Sequence, residues 1–214
     1  WVRSGCKVGN LPCNGMVYVA PHPCGCYVGA KLTGFNALSP KAETGRRKAE
    51  AGPRLLKGPV YGDPLPAAHA SRADWPTYRH DPQRTGATEV QIPTDLKIAW
   101  KADLGVEPSA PVVANGKVLV AAVDSHSVHA LNAESGGVIW SYTASARVPS
   151  PPTFHRGLAL FGSADGSVTC LRAMDGALLW RFRAAPQQRL VTAFDQLESS
   201  WPVPGVLVQD GACW

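Results

Sequence analysis

Long apolar stretches are missing from this sequence: no run approaches the roughly 18 residues that a membrane-crossing helix needs, so no such span is expected. Charge is scarce as well, at 17% of residues. The sequence has no Gly-rich loop at a strand-to-helix junction, no GxSxG elbow and no CxxCH, which removes the usual phosphate cradle, the hydrolase nucleophile turn and covalent haem attachment. What is plentiful is Gly and Pro, 21 and 19 of 214 residues, close to one in five. Such a density interrupts helices too often for a bundle or coiled coil, while 45% hydrophobic residues is too much for a disordered polar chain. It is the strand periodicities of an internal repeat, and not this composition, that make the expected fold all-β.

The formal net charge of +5 is unevenly placed. Residues 1–40 carry Arg3, Lys7 and Lys31 without an acid, and residues 41–57 carry six bases against Glu43 and Glu50, so the remaining chain is faintly acidic. Nucleic-acid binding needs a basic face on the folded part, and this distribution does not provide one. Residue 1 is Trp, and the sequence looks cut at both ends, so a signal peptide has no place to be read.

The strongest signal is an internal period. SAPVVANGKVLVAAVDSHSVHALNAESGGVIW (109–140) aligns with SPPTFHRGLALFGSADGSVTCLRAMDGALLW (150–180). Val128 matches Val168, Leu131 matches Leu171, Gly136 matches Gly176 and Trp140 matches Trp180, each pair 40 apart; Pro111 and Pro152 match with one extra residue near Lys117. Each unit divides into short apolar or alternating runs separated by turn residues, with Asp165-Gly166 and Asp175-Gly176 placed for tight hairpins. Three or four strands per forty residues is the arithmetic of a propeller blade. Partial units flank the pair. Leu96, Ile98, Trp100 and Ala102 alternate as a further outer strand, and GVLVQDGACW (205–214) reads as the opening of another blade interrupted in mid-strand. Upstream, NGMVYV (14–19) parallels NGKVLV, and FNAL (35–38) parallels VHAL. The expected organisation is a partial blade with a Cys-rich insert in 1–40, a basic Pro/Gly-rich linker or long loop in 41–73, and two complete blades with partial neighbours in 74–214.

LNAESGGVIW and LRAMDGALLW resemble the Leu-x-Ala-x-x-Gly-x-x-x-Trp close of the PQQ-like (pyrroloquinoline-quinone-type) β-propeller repeats found in quinoprotein dehydrogenases and in the BamB-type outer-membrane assembly lipoproteins, and DWPTYRHDPQRTG (74–86) is similar to the way bacterial members begin a propeller. The resemblance implies an incomplete ring of four-stranded antiparallel blades, a piece of a larger bacterial repeat protein. In it Trp140 and Trp180 pack between neighbouring blades, each in a slot beside a glycine turn (Gly136, Gly176), with Leu131 and Leu171 as further blade-docking residues. It also implies a periplasmic or extracellular setting. The function expected is a binding or assembly scaffold whose face loops take a protein or glycan partner. The alternative is a quinoprotein oxidoreductase using PQQ with calcium, which needs carboxylates converging at one place. Asp124, Asp165, Asp175 and Asp195 qualify by residue type only, Asp165 and Asp175 sit where Asp serves turns, and the family's adjacent Cys-Cys pair has no match.

Cys6, Cys13, Cys24 and Cys26 fall within 21 residues with His22 beside them, a set that suits zinc by type. A one-residue gap between Cys24 and Cys26 and the lack of a second CxxC argue against a zinc knuckle. Disulfides of an exported protein, or structural thiols, are the other reading.

Overall fold

The computed structural model describes residues 10–13, 16–19, 36–38, 52–65 and 68–214. Every regular element among them is a β-strand. Contacts divide the chain into two units, Trp1–Gly52 with Gln187–Ser200 and Pro53–Pro186 with Trp201–Trp214.

In the first unit, β1 (Leu11–Cys13), β2 (Met16–Val19) and β3 (Asn36–Leu38) form a three-stranded antiparallel sheet, with Val17 opposite Leu38 and Cys13 opposite Met16. In the second unit, β4 (Leu55–Lys57) comes first. It is followed by β5 (Val112–Ala114), β6 (Lys117–Ala122), β7 (Ser127–Asn132) and β8 (Val138–Thr143), a four-stranded antiparallel meander that makes blade I. Blade II repeats it with β9 (Thr153–His155), β10 (Leu158–Gly162), β11 (Ser167–Arg172) and β12 (Leu178–Arg183). Both blades carry an irregularity at the same place of the period, between Ala130 and Leu131 and between Cys170 and Leu171. The architecture is a partial β-propeller of antiparallel blades.

Local turn chemistry explains the meander. Asn115-Gly116 (φ 52°, 72°) and Arg156-Gly157 (φ 47°, 78°) hold left-handed angles at both central positions, the two-residue hairpin whose twist matches that of its strands. The same turn occurs twice more. In the first unit Phe194-Asp195 (φ 48°, 62°) joins β13 (Leu190–Ala193) to β14 (Gln196–Ser199). In the second, Asp210-Gly211 (φ 50°, 77°) joins β15 (Val208–Gln209) to β16 (Ala212–Cys213). The segment expected to stop in mid-strand is therefore a closed hairpin, whose ladder Leu207 and Trp214 extend by exchanging backbone hydrogen bonds at 2.9 and 2.8 Å. Phe194-Asp195 contains no glycine, so nothing in the sequence advertised that turn.

Two expectations are corrected. Leu96–Ala102 is not a strand: Leu96 and Ile98 are 70% and 75% exposed, because alternation without a pairing neighbour does not make a ladder. Conversely, the segment read as a linker holds β4, which adds to the outer edge of blade II as a fifth strand, with Leu55 opposite Phe182 and Lys57 opposite Trp180. Arg54 anchors it by donating to the carbonyls of Arg183 (3.0 Å) and Ala184 (2.9 Å) while its guanidinium lies over the Phe182 ring at 5.0 Å. Gly58 closes the contact, since a Cβ there would stand 2.0 Å from the Leu178 carbonyl oxygen.

The main core lies between the two blades. Leu119, Val128, Ala130 and Trp140 of blade I meet Phe154, Ala159, Phe161 and Leu171 of blade II, all nearly inaccessible. Trp140 lies on the backbone of Gly176, where a Cβ would come 2.7 Å from the indole, and its Nε1 donates to the Ala173 carbonyl at 3.1 Å. Trp100 makes the same contact one period earlier: its ring covers Gly136, with a Cβ there at 2.5 Å, and its Nε1 donates to Ala133 at 3.0 Å. The residue whose setting matches that of Trp140 is thus Trp100. Trp180 instead packs, partly buried, against a second cluster of Leu160, Cys170, Leu179 and Val206 on the other face of blade II.

Truncating Trp140, which is 7% exposed, to Ala should cost about 3–5 kcal/mol in a denaturant titration, and the half-buried Trp100→Ala clearly less. Gly58→Val should release β4, read as faster amide exchange at Arg181 and Arg183 with blade I unchanged.

Candidate binding site

Residues 75–77 run across the edges of both blades. Trp75 exchanges backbone hydrogen bonds with Val113 of β5 (2.7 and 2.9 Å), and the Pro76 carbonyl accepts from Phe154 N of β9 at 2.7 Å. The Thr77 and Thr153 hydroxyls, both buried, meet at 2.8 Å, and the Thr153 hydroxyl donates to the Val206 carbonyl at 2.7 Å. The strap fixes where the next residues go.

Those residues form a strained turn. Arg79, His80 and Arg84 all take left-handed angles (φ 59°, 79°, 58°), a conformation that non-glycine residues hold only when their surroundings impose it. Asp81 does most of the imposing. Its carboxylate accepts from Thr85 N (3.1 Å), from the Thr85 hydroxyl and from His80 Nδ1 (3.4 Å), while Gly86 N closes onto the Arg79 carbonyl at 3.0 Å. The His80 ring stands edge-on to Trp75 at 5.0 Å. The Thr85 hydroxyl and amide, followed by His80, hold the Asp81 carboxyl down at about 2.

The turn delivers Tyr78 and Arg84 to one wall of a pocket of about 320 Å³. Pro151, just ahead of β9, and Pro204, Gly205 and Trp214 from the hairpin supply the others. Arg84 stacks over the Tyr78 ring at 5.3 Å, and no acidic side chain lines the pocket. The Ser150 hydroxyl, also at the wall, is buried with no hydrogen-bond partner, where a Cβ on Gly205 would stand 3.0 Å from it. Apolar and aromatic walls with one cation suit an apolar or flat group that carries negative charge.

The residues singled out from sequence do not converge here. Cys6, His22, Cys24 and Cys26 lie outside the described residues, and Cys13 is exposed on β1 with a free thiol. The four carboxylates lie apart, each in a separate turn. Asp124 lies 3.9 Å from Arg147, and Asp175 binds Arg172 at 2.6 Å. Asp195 occupies the β13–β14 turn. Burial alone would raise Asp165, but hydrogen bonds from Ser163 and Ser167 and the charge of Arg181 outweigh it and hold the carboxyl below its ordinary range. Among the described residues no three His, Cys, Asp or Glu side chains group as metal ligands would, and four of the five residues of the Cys/His set lie outside them. Leu131 and Leu171 are buried in the blades, and Gly136 and Gly176 lie under indoles. Sequence reasoning missed Tyr78, Arg84 and Trp214 as neighbours, since their meeting depends on a turn with no regular period. It also missed Trp100 as a docking residue, although its 40-residue offset from Trp140 was there to be counted.

Acid should loosen the turn. Asp81 is depressed when folded, so its contribution is present above the ordinary carboxylate pKa near 3.8 and is lost as pH falls through about 2. Limited proteolysis at 78–86 should accelerate over that window, and Asp81→Asn should give the accelerated rate already at neutral pH.

The chain is similar to known proteins. A family model described as outer membrane protein assembly factor BamB matches residues 92–200, half of the chain. The dehydrogenase subunit of the quinone alcohol dehydrogenase of Gluconobacter oxydans (strain 621H) is 28% identical over 135 residues, covering 54% of this chain and 18% of that protein. The corresponding subunit from Gluconacetobacter polyoxogenes is 31% identical over 110 residues, covering 44% and 14%. The chain thus spans less than a fifth of the length of these curated relatives. A europium-containing methanol dehydrogenase superposes with a TM-score of 0.52 at 18% identity, over 67% of this chain and 27% of that one, a likeness of fold. With the forty-residue period, the paired indole-on-glycine contacts and the matched span, the chain belongs to the BamB-type PQQ-like β-propeller repeat family.

Proposed function

We propose that the protein is a non-catalytic binding and assembly scaffold of the bacterial envelope, which holds a partner protein through the pocket beside the 78–86 turn. The observation that carries this reading is the convergence of Tyr78, Arg84 and Trp214, residue types that dominate binding energy at protein interfaces, on a pocket fixed by a strained turn. Trp214 is 77% exposed and Tyr78 44%, so both present apolar area that contact with a partner would cover. The partner side chain that complements this wall is an aromatic or aliphatic group next to a carboxylate. The match to an assembly-factor family model supports the same reading. No described helix is long and apolar enough to cross a membrane.

A second reading is favoured by the quinone-dehydrogenase relatives: that the longer protein is an oxidoreductase using PQQ and calcium. The Asp residues of the blade turns lie apart, each paired with its own Arg, and do not converge as a ligand set.

A photocrosslinking amino acid at position 78, in cells carrying the complete reading frame, should yield a discrete protein adduct, and Arg84→Glu should lower its yield at least about tenfold without shifting Tm. Adducts indifferent to Arg84 would remove the pocket from the interaction. The complete protein supplied with PQQ and Ca²⁺ should reduce a dye with ethanol no faster than without them; quinone-dependent turnover establishes the second reading instead.

A further inference from the structure

The repeat places two cysteines across an interface where the preceding interface has two alanines. Cys170 stands on β11 where Ala130 stands on β7: each is followed by the register irregularity, and they oppose Trp180 and Trp140 respectively. Cys213 stands on β16 where Ala159 stands on β10, two residues beyond the glycine of a left-handed hairpin turn. Ala130 and Ala159 are both fully buried in the one cluster between blades I and II, each a small residue on one of the two facing sheets. The next interface, between blade II and the β15–β16 hairpin, keeps the same positions and fills them with thiols.

Local geometry agrees. Cys170 is fully buried in the cluster with Leu160, Leu179 and Val206, and Val208 packs against that cluster. Cys213 is the directly opposed cross-strand partner of Val208, and opposed residues in an antiparallel pair project to the same face. The Cys213 side chain is therefore turned toward the sheet that carries Cys170. A disulfide needs about 3.5–4.5 Å between Cβ atoms, a span that residues on two packed sheets reach only where both side chains are small.

We propose that Cys170 and Cys213, free thiols in this structure, are the two halves of a disulfide that staples the β15–β16 hairpin to blade II. The oxidant is a disulfide of the glutathione or dithiol-oxidoreductase class. The exposed Cys213 attacks it as thiolate, forming a mixed disulfide and expelling one thiol; Cys170 then loses its proton and displaces the second. Two protons and two electrons leave the pair, and the oxidant ends as two thiols. Burial, with the nearby Cys213 charge adding to it, pushes the Cys170 thiol up to about 12, so the second displacement is the slow one in the folded chain.

The full chain incubated with oxidised glutathione, then denatured, alkylated without reduction and digested, should give a peptide pair joining Cys170 to Cys213 that disappears with dithiothreitol. Closure in the folded chain should speed up about tenfold per pH unit between about pH 7 and 9, following the thiolate fraction. Proteolysis within 201–214 should slow at least about tenfold on oxidation. The double change Cys170→Ala with Cys213→Ala installs the alanine pair of the preceding interface, so it should keep cooperative unfolding while losing the oxidation-dependent protection. Full alkylation of both cysteines, their pairing with cysteines of residues 1–26, or protection that persists in the double-alanine chain would overturn the proposal.

Discussion

An indole ring lying on the bare backbone of a glycine sets the distance between successive sheets. At Gly176 there is no room for a Cβ, and the Trp140 ring that takes the space is held in place by its own N–H bond to Ala173. A side chain of this size removes roughly 150–250 Å² from water, and its one polar atom is satisfied, so the contact is favourable in both respects. The glycine is required twice over, because its left-handed φ of 74° also ends the turn that leads into β12. Sheet spacing, turn geometry and the small residues at the blade interface all follow from that contact. Trp100 and Gly136 repeat it one period earlier, so the constraint belongs to the repeat and not to one blade.

The second level of order is polar and sits at the ends of the sheets. Asp165 is enclosed by Ser163, Ser167 and Arg181, and its charge and that of Arg181 both reach Tyr142 of blade I, whose ring stands edge-on to Phe161 of blade II at 5.9 Å. A half-buried carboxylate is tolerable only when so many donors converge on it. Such arrangements specify which turn packs on which ring, where the apolar core alone would accept small slips. The Thr77–Thr153–Val206 chain does the same at the opposite edge of blade II, and it is this chain that ties the strained turn to the pocket wall.

Much of this was legible in the residues. The forty-residue period, the glycine turns and the closing Trp identify blades without coordinates, because each reflects a backbone or packing need that few residue types meet. The turns at Asp165-Gly166 and Asp175-Gly176 were readable, whereas Phe194-Asp195 was not, since it lacks the glycine that marks such a turn. Leu96–Ala102 misled because alternation records which side chains prefer burial and says nothing of whether a neighbouring strand exists. The opposite error occurred at Leu55–Lys57, where three residues are too few to show a period and the pairing depends on Arg54 and on a glycine fitting under a distant carbonyl. The candidate site was the least legible part. Tyr78, Arg84 and Trp214 are far apart in the chain, and what joins them is a turn defined by hydrogen bonds to a single carboxylate.

The fifth strand of blade II has a consequence for how the chain is made. Arg54 bonds to residues 129 and 130 positions later, so the whole of blade I lies between β4 and its partner. A ribosome adding about 5–20 residues per second leaves that basic strand unpaired for roughly 6–26 s after it is synthesised. During that interval blade I has everything it needs to form its own meander from nearest-neighbour hairpins, while the bare edge that will later receive β4 does not yet exist. The order of assembly is thereby written into the topology, local meanders first and the long-range edge closure last.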